Sequence, residues 1–242
     1  MGFEKVKDVF RAEKPVIGIV HFNGSDFEKN KIRGNRDVLA FENTGFDGVA
    51  LEVSFLGRGT FETQHFLKAI GGQGMDNYWN VVPGVSTVPS LFGVSMGIAG
   101  NHGGRFVYTP DILNQFSSQS YYQDRKKGLD NTLVIGGIES IDSDFREATI
   151  RSDALAVSAK NAREIGRYRK AVERVAGNYP IFAKLGVCLT DNEIYELASE
   201  ADGLIVDRDV RRGYRVTGPV ELAMGRIFMN QVLRARRVSS AA

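Results

Sequence analysis

Apolar residues along this chain fall into short runs separated by polar, helix-like stretches. Eight runs read as strands: residues 15–21, 46–53, 82–88, 105–109, 132–138, 153–158, 180–185 and 202–207. They are rich in Val, Ile and Leu and flanked by Gly, Pro or Asp, as buried strands are. A strand covered on both faces reads as a continuous apolar run, which points to a parallel sheet. Between the runs lie amphipathic stretches. Residues 26–45 end in Gly45, a natural residue to stop a helix. Residues 160–178 place Ile165, Tyr168, Ala171, Val172 and Val175 at three- and four-residue spacing. Residues 190–200 open on Thr190 with Glu193 three positions on, a capping box. The small-residue stretch 91–101 and the segment 221–237 read as two further helices.

Strands alternating with helices predict βα units. Eight units in 242 residues predict an α/β fold with one domain over 1–242: a single (β/α)8 TIM-type barrel with irregular middle loops. An open doubly wound sheet is the alternative. The irregular part is residues 57–125, rich in Gly, Gln, Asn, Ser and aromatics, where long loops serve either function or subunit contact.

Five of the runs carry a polar or charged residue in their C-terminal half: His21, Glu52, Glu139, Lys184 and Asp207. A charge in a buried strand is costly unless paired or wetted. In an α/β barrel that end of the strand is the mouth, where active sites sit. His21 reads as a general acid/base, a metal ligand or a hydrogen-bonded structural histidine. Glu52 shares strand parity with Ala50 and is expected to point inward, as a proton acceptor, a cation ligand or an ion-pair partner of Lys184. Lys184 reads as a charge compensator for Glu52, Glu139 or Asp207, or as a Schiff-base lysine. His21, Glu52, Glu139 and Asp207 together suit Mg²⁺ or Mn²⁺, which favour oxygen-rich sites.

Composition narrows the classes. Net charge is +2, too balanced to predict nucleic-acid binding. The basic tail residues Arg234, Arg236 and Arg237 read as a helix C-terminus complementing its dipole. Cys188 is the only cysteine, which excludes an internal disulfide and suits a reducing, cytoplasmic setting; it reads as a buried free thiol. No apolar run is long enough to predict a membrane span. The opening MGFEKVKDVFRAEKP is charged and amphipathic, unlike a signal peptide.

Phosphate-binding motifs are weak. The Gly-rich pieces at 70–74 and 101–105 lack both the GxxxxGK[ST] arrangement and a strand–GxGxxG–helix setting. Barrels often bind phosphate with the loops after strands seven and eight. Here Gly186 is present in the seventh loop. In the eighth, Asp207 stands where an uncharged glycine suits a phosphate, with Arg208, Arg211 and Arg212 able to offset it.

At these residues the chain resembles the BtpA/SgcQ family. KPVIGIVHF is similar to that family's first-strand motif, GFDGVALEV to its second, and 180–213 with 218–232 to its last two units and closing helix. The resemblance covers both ends, about half the chain. The sequence departs from it in FNGSD after His21, in Lys184-Leu185-Gly186, and in Asp207-Arg208-Asp209. The resemblance implies a barrel whose mouth contains His21 and Glu52, in a family tied to photosystem I biogenesis and to sugar or nucleoside metabolism.

Two functions follow as expectations. The first is an assembly or accessory subunit of a larger complex or homo-oligomer, with catalysis reduced or lost. It is favoured by the altered seventh and eighth loops and by the aromatics Tyr78, Trp79, Tyr121 and Tyr122. The alternative is an enzyme acting by acid/base chemistry on a small phosphorylated or sugar-like metabolite. It would use His21, Glu52 and Lys184, with Gly186 and Arg208 binding the ligand.

Overall fold

The structure is a computed structural model that describes residues 2–23, 27–54, 95–100, 102–115, 132–185, 189–215 and 218–239. The strand expected at 82–88, the stretches 57–94 and 116–125, Gly186 and Cys188 lie outside the described residues.

In chain order the described elements begin with α1 (Gly2–Phe10), β1 (Val16–Asn23), α2 (Phe27–Thr44), β2 (Gly48–Ser54), β3 (Ser95–Ala99) and β4 (Gly104–Thr109). Next come α3 (Ile112–Gln115), β5 (Leu133–Ile138), α4 (Phe145–Arg151), β6 (Ala154–Ser158) and α5 (Ala162–Ala176). The chain closes with β7 (Ile181–Lys184), α6 (Asp191–Glu200), β8 (Gly203–Val206), a 3-10 turn (Arg212–Tyr214) and α7 (Leu222–Ser239).

The strands close into a barrel in the order β1 to β8, with β8 paired back to β1. From Ile19 the register runs through Ala50, Gly97, Phe106 and Leu133. Carried on through β6, β7 and β8, it returns to the level of Arg11, about eight residues offset, the stagger of a TIM-type barrel. The core has two layers. Ile17, Ile19, Ala50, Phe106, Tyr108, Leu133, Ile135, Phe182 and Ile205 fill the barrel. Val16, Val20, Val107, Val134, Leu155, Ile181 and Leu204 face the helices. These are the two sides of the continuous apolar runs seen in the sequence.

One strand corrects the sequence reading. Residues 95–99, expected within a helix, form β3, which runs antiparallel to both β2 and β4. Small residues suggested a tightly packed helix, but Gly97 and Gly100 oppose one. A side chain at Gly97 would strike the Phe106 ring opposite. Gly100 and Gly103 both adopt positive φ and turn the chain into β4.

The closed end of the barrel is plugged by α1, whose amphipathic pattern the sequence shows. Val6, Val9 and Phe10 join the inner core, with the Phe10 ring 5.1 Å from Phe106 and 6.3 Å from Phe182. Three aspartates fasten the same end. Asp47, Asp153 and Asp202 each precede a strand, and each takes a hydrogen bond from the backbone N–H of a neighbouring segment: Val16, Val134 and Ile181, at 2.8, 2.9 and 2.9 Å. Each also pairs with a cation, respectively Arg236, Lys5 and Arg169. Arg236 therefore reaches beyond the helix-terminus role expected of it. Arg234 likewise stacks on Tyr195, 4.4 Å from the ring centroid.

The remaining helices match the sequence closely. α2 ends at Gly45 with φ +86. α5 buries Ile165, Tyr168 and Val172, and α6 carries the Thr190–Glu193 capping box. Helix α4 was not expected. Asp144 caps its N-terminus through the Glu147 amide at 3.0 Å, and Phe145 and Ala148 anchor it. Among the described residues no helix is long and apolar enough to cross a membrane.

Candidate active site

The C-terminal ends of β1, β7 and β8 bring His21, Lys184 and Asp207 to one rim. β1 and β8 are hydrogen-bonded neighbours. The His21 Nε2 lies 2.8 Å from Asp207 Oδ1, and only 8% of His21 is exposed. A carboxylate on one ring nitrogen fixes the orientation and tautomer of an imidazole, as an aspartate does for a catalytic histidine.

The pair is held from behind by Arg211, the largest fully buried side chain among the described residues. Its Nε donates to the Asp207 carbonyl at 3.1 Å and lies 3.6 Å from Asp207 Oδ1. Its Nη1 donates to Asp37 Oδ2 at 2.6 Å and to the Gly218 carbonyl at 2.9 Å; Nη2 donates to the Ile19 carbonyl at 2.6 Å. The guanidinium also lies 5.9 Å from the Phe41 ring centroid. Helix α2 supplies Asp37 and Phe41, and it approaches β1 closely because Gly18 has no side chain to strike Phe41. Arg33, also on α2, donates to the His21 carbonyl at 2.8 Å. Arg211 thus ties α2, β1 and the loop after β8 into one support for His21 and Asp207.

This arrangement corrects one expectation. Arg211 is consumed by Asp37 and by backbone carbonyls, so it cannot meet a phosphate at the mouth. Arg212 pairs with Glu221 at 2.6 Å. Of the three arginines expected to offset Asp207, Arg208 is the one left exposed without an ion pair among the described residues.

Lys184 ends β7 half-buried, its Nζ 5.7 Å from the centroid of the buried Tyr108 ring. Among the described residues it makes no ion pair. The compensation expected from Asp207 or Glu139 is therefore not made: Asp207 turns to His21, and Glu139 is exposed beyond the end of β5. The backbone of Glu52 stands in register between His21 and Ser95, while its side chain lies outside the described part. Among the described residues no three His, Cys, Asp or Glu side chains gather as a metal site; of the expected four, His21 and Asp207 meet, Glu139 is exposed, and the Glu52 side chain lies outside the described part.

Asp209 was missed in the sequence. It is 8% exposed, and among the described residues neither carboxylate oxygen has a hydrogen-bond partner from another residue. Burial, and then the negative charge of Asp207, push its carboxyl up to about 6 against its own backbone N–H and Arg208. The available signal was a carboxylate flanked at close range by Val206 and Val210, apolar residues that are themselves buried.

No protein-family model matches the chain, and no curated protein matches it. Solved structures do. The tryptophan synthase alpha chain from Legionella pneumophila subsp. pneumophila is similar at TM-score 0.56 and 12% identity, over 98% of this chain and 95% of that one. The native KDPGal structure is similar at TM-score 0.51 and 15% identity, over 94% and 97%. At such identities the likeness shows the fold alone, and it places the chain among TIM-type barrels.

Proposed function

We propose that the chain is a barrel enzyme acting on a small anionic metabolite, phosphorylated or carboxylated, by acid/base chemistry at the mouth. The observation that carries this reading is the 2.8 Å contact between His21 Nε2 and Asp207 Oδ1, locked by the buried Arg211. A histidine held this firmly at the functional end of a barrel is placed to take and return a proton. The carboxylate contact at Nε2 fixes the ring for that exchange. Lys184 supplies the charge. Its Nζ lies over the Tyr108 ring, a cation–π placement that suits an anion-holding role. Glu52, in register with His21, is the second proton carrier of this proposal. The tryptophan synthase alpha chain shows that a similar barrel hosts an enzyme, a support by analogy of fold.

The resemblance to the BtpA/SgcQ family supports the pairing of His21 and Glu52 at one mouth. The accessory-subunit reading drew on Tyr78, Trp79, Tyr121 and Tyr122, which lie outside the described residues. No described contact favours it over the enzyme.

A thermal-shift panel of inorganic phosphate, sugar phosphates, short oxo-acids and divalent cations tests the proposal. Specific binding raises the melting temperature by mass action. At least one anion is expected to stabilise the protein, with the effect lost in Lys184→Met and retained in His21→Asn. Glu52→Gln and His21→Asn should then abolish turnover of the ligand found. No response to any anion, or one unchanged in Lys184→Met, sinks the reading.

A further inference from the structure

On the outer wall of the barrel, α5 presents a feature that the mouth does not use. Arg163, Arg167, Lys170 and Arg174 follow one another at spacings of four, three and four residues. That spacing stacks them on one helix face, opposite the buried Ile165, Tyr168 and Val172. All four are exposed, and among the described residues none makes an ion pair. Like charges one turn apart repel and weaken a helix, so the stripe has a cost in the free protein. Elsewhere α5 does pair its charge: Arg169 meets Asp202 at 3.0 Å and the Glu200 carbonyl at 2.7 Å.

Beside the stripe runs a groove of about 550 Å³ between α5 and α6. Its floor is Ala162 and Gly166, and a side chain added at Gly166 would meet nothing within 4 Å. One wall is Arg163, Arg167 and Lys170, and Glu200 stands on the other. We propose that this groove docks a short acidic segment of a partner protein, laid along α5 with its carboxylates on the cationic stripe. The interaction is independent of the chemistry at the mouth.

Two observations choose a peptide over a nucleic acid, and a third sets its length. Glu200 gives the groove an acceptor for N–H groups, which a polypeptide backbone carries and a phosphodiester backbone does not. The chain as a whole has a net charge of only +2, so it lacks the broad basic face of a nucleic-acid binder. From Arg163 to Arg174 the stripe spans ~16 Å of helix, matched by about five residues of extended chain.

The test is fluorescence anisotropy of the full chain with a fluorescein-labelled oligoglutamate peptide at low salt, roughly 50 mM, and at roughly 200 mM. The groove variant is Arg163→Gln with Arg167→Gln and Lys170→Gln. A control removes as many exposed charges outside α5 and α6, Lys7→Gln with Arg226→Gln and Arg237→Gln. Saturable binding that weakens at higher salt is expected, at least about tenfold weaker in the groove variant and unchanged in the control. Circular dichroism should stay constant and the melting temperature should hold or rise, since every altered side chain is exposed and the groove variant relieves like-charge repulsion. Three outcomes overturn the proposal: no saturable binding, equal losses in the two variants, or tighter binding of a duplex oligonucleotide than of the peptide.

Discussion

The two ends of this barrel are closed by different physics. At the bottom, α1 buries Phe10 against Phe106 and Phe182, and the apolar plug has no directional demands. At the mouth, His21, Asp207, Arg211 and Asp37 form a chain of charged hydrogen bonds whose geometry decides everything. The first end supplies stability that tolerates small shifts. The second spends burial energy on holding one imidazole in one place. Even the bottom aspartates differ in kind from those of the mouth. Asp47, Asp153 and Asp202 each join a backbone N–H and a cation, whereas among the described residues Asp209 at the mouth has neither from another residue.

The sharpest way to break the contrast is Arg211→Met. It takes from Asp37, which is 1% exposed, its buried partner and leaves it the half-exposed Arg36 at 3.0 Å, and should cost ~3–5 kcal/mol in denaturant unfolding. Adding Asp37→Leu should restore much of that loss while leaving His21 without its support. A double variant as unstable as the single one would show that Arg211 acts mainly through its backbone carbonyls. At the opposite end Phe10→Ala should cost a comparable ~3–5 kcal/mol through the cavity it leaves. Ligand response at the mouth should survive it. Loss of both together would mean the two ends are not separable.

Asp209 sharpens the comparison through pH. Its folded value of about 6 lies above the ordinary 3.8, so the folded state holds the proton more tightly. The stabilisation is whole below about pH 4 and is lost as pH rises through about 6. Asp209→Asn should therefore leave stability at low pH little changed and exceed wild type by up to about 3 kcal/mol at pH 8. Parallel stability curves for the two proteins would refute it. The smallest effect belongs to a bottom clamp. Asp153→Asn keeps the shape but weakens the bonds to Lys5 and Val134, for a loss of about 1–2 kcal/mol in thermal unfolding.

Much of this architecture was legible in the chain. The strand runs at 15–21, 132–138 and 153–158 agree with β1, β5 and β6 because strands covered on both faces leave no polar alternation to misread. β3 was hidden because its direction is set by Gly100 and Gly103 and by the fit of Gly97 to Phe106, a contact outside its own segment. His21 and Asp207 each stood out as polar residues at strand ends. Their pairing did not, because 186 positions separate them and only closure of β8 on β1 brings them together. Arg211 was misjudged for the same reason. Its partners Asp37, Ile19 and Gly218 come from three separate segments, so an arginine in a loop read as a solvent-facing charge.

The reversal of β3 carries one more consequence, for the connection that precedes it. A crossover joining parallel strands must traverse the full height of the barrel, which sets a minimum length for it. Ser54 ends β2 and Ser95 begins β3 on the same rim, with Glu52 paired to Ser95. The segment 55–94 therefore departs and returns beside the candidate site, and no strand direction depends on its length. The eight-strand closure is written in pairings among the described strands, and what it asks of this connection is that its two ends meet on one rim.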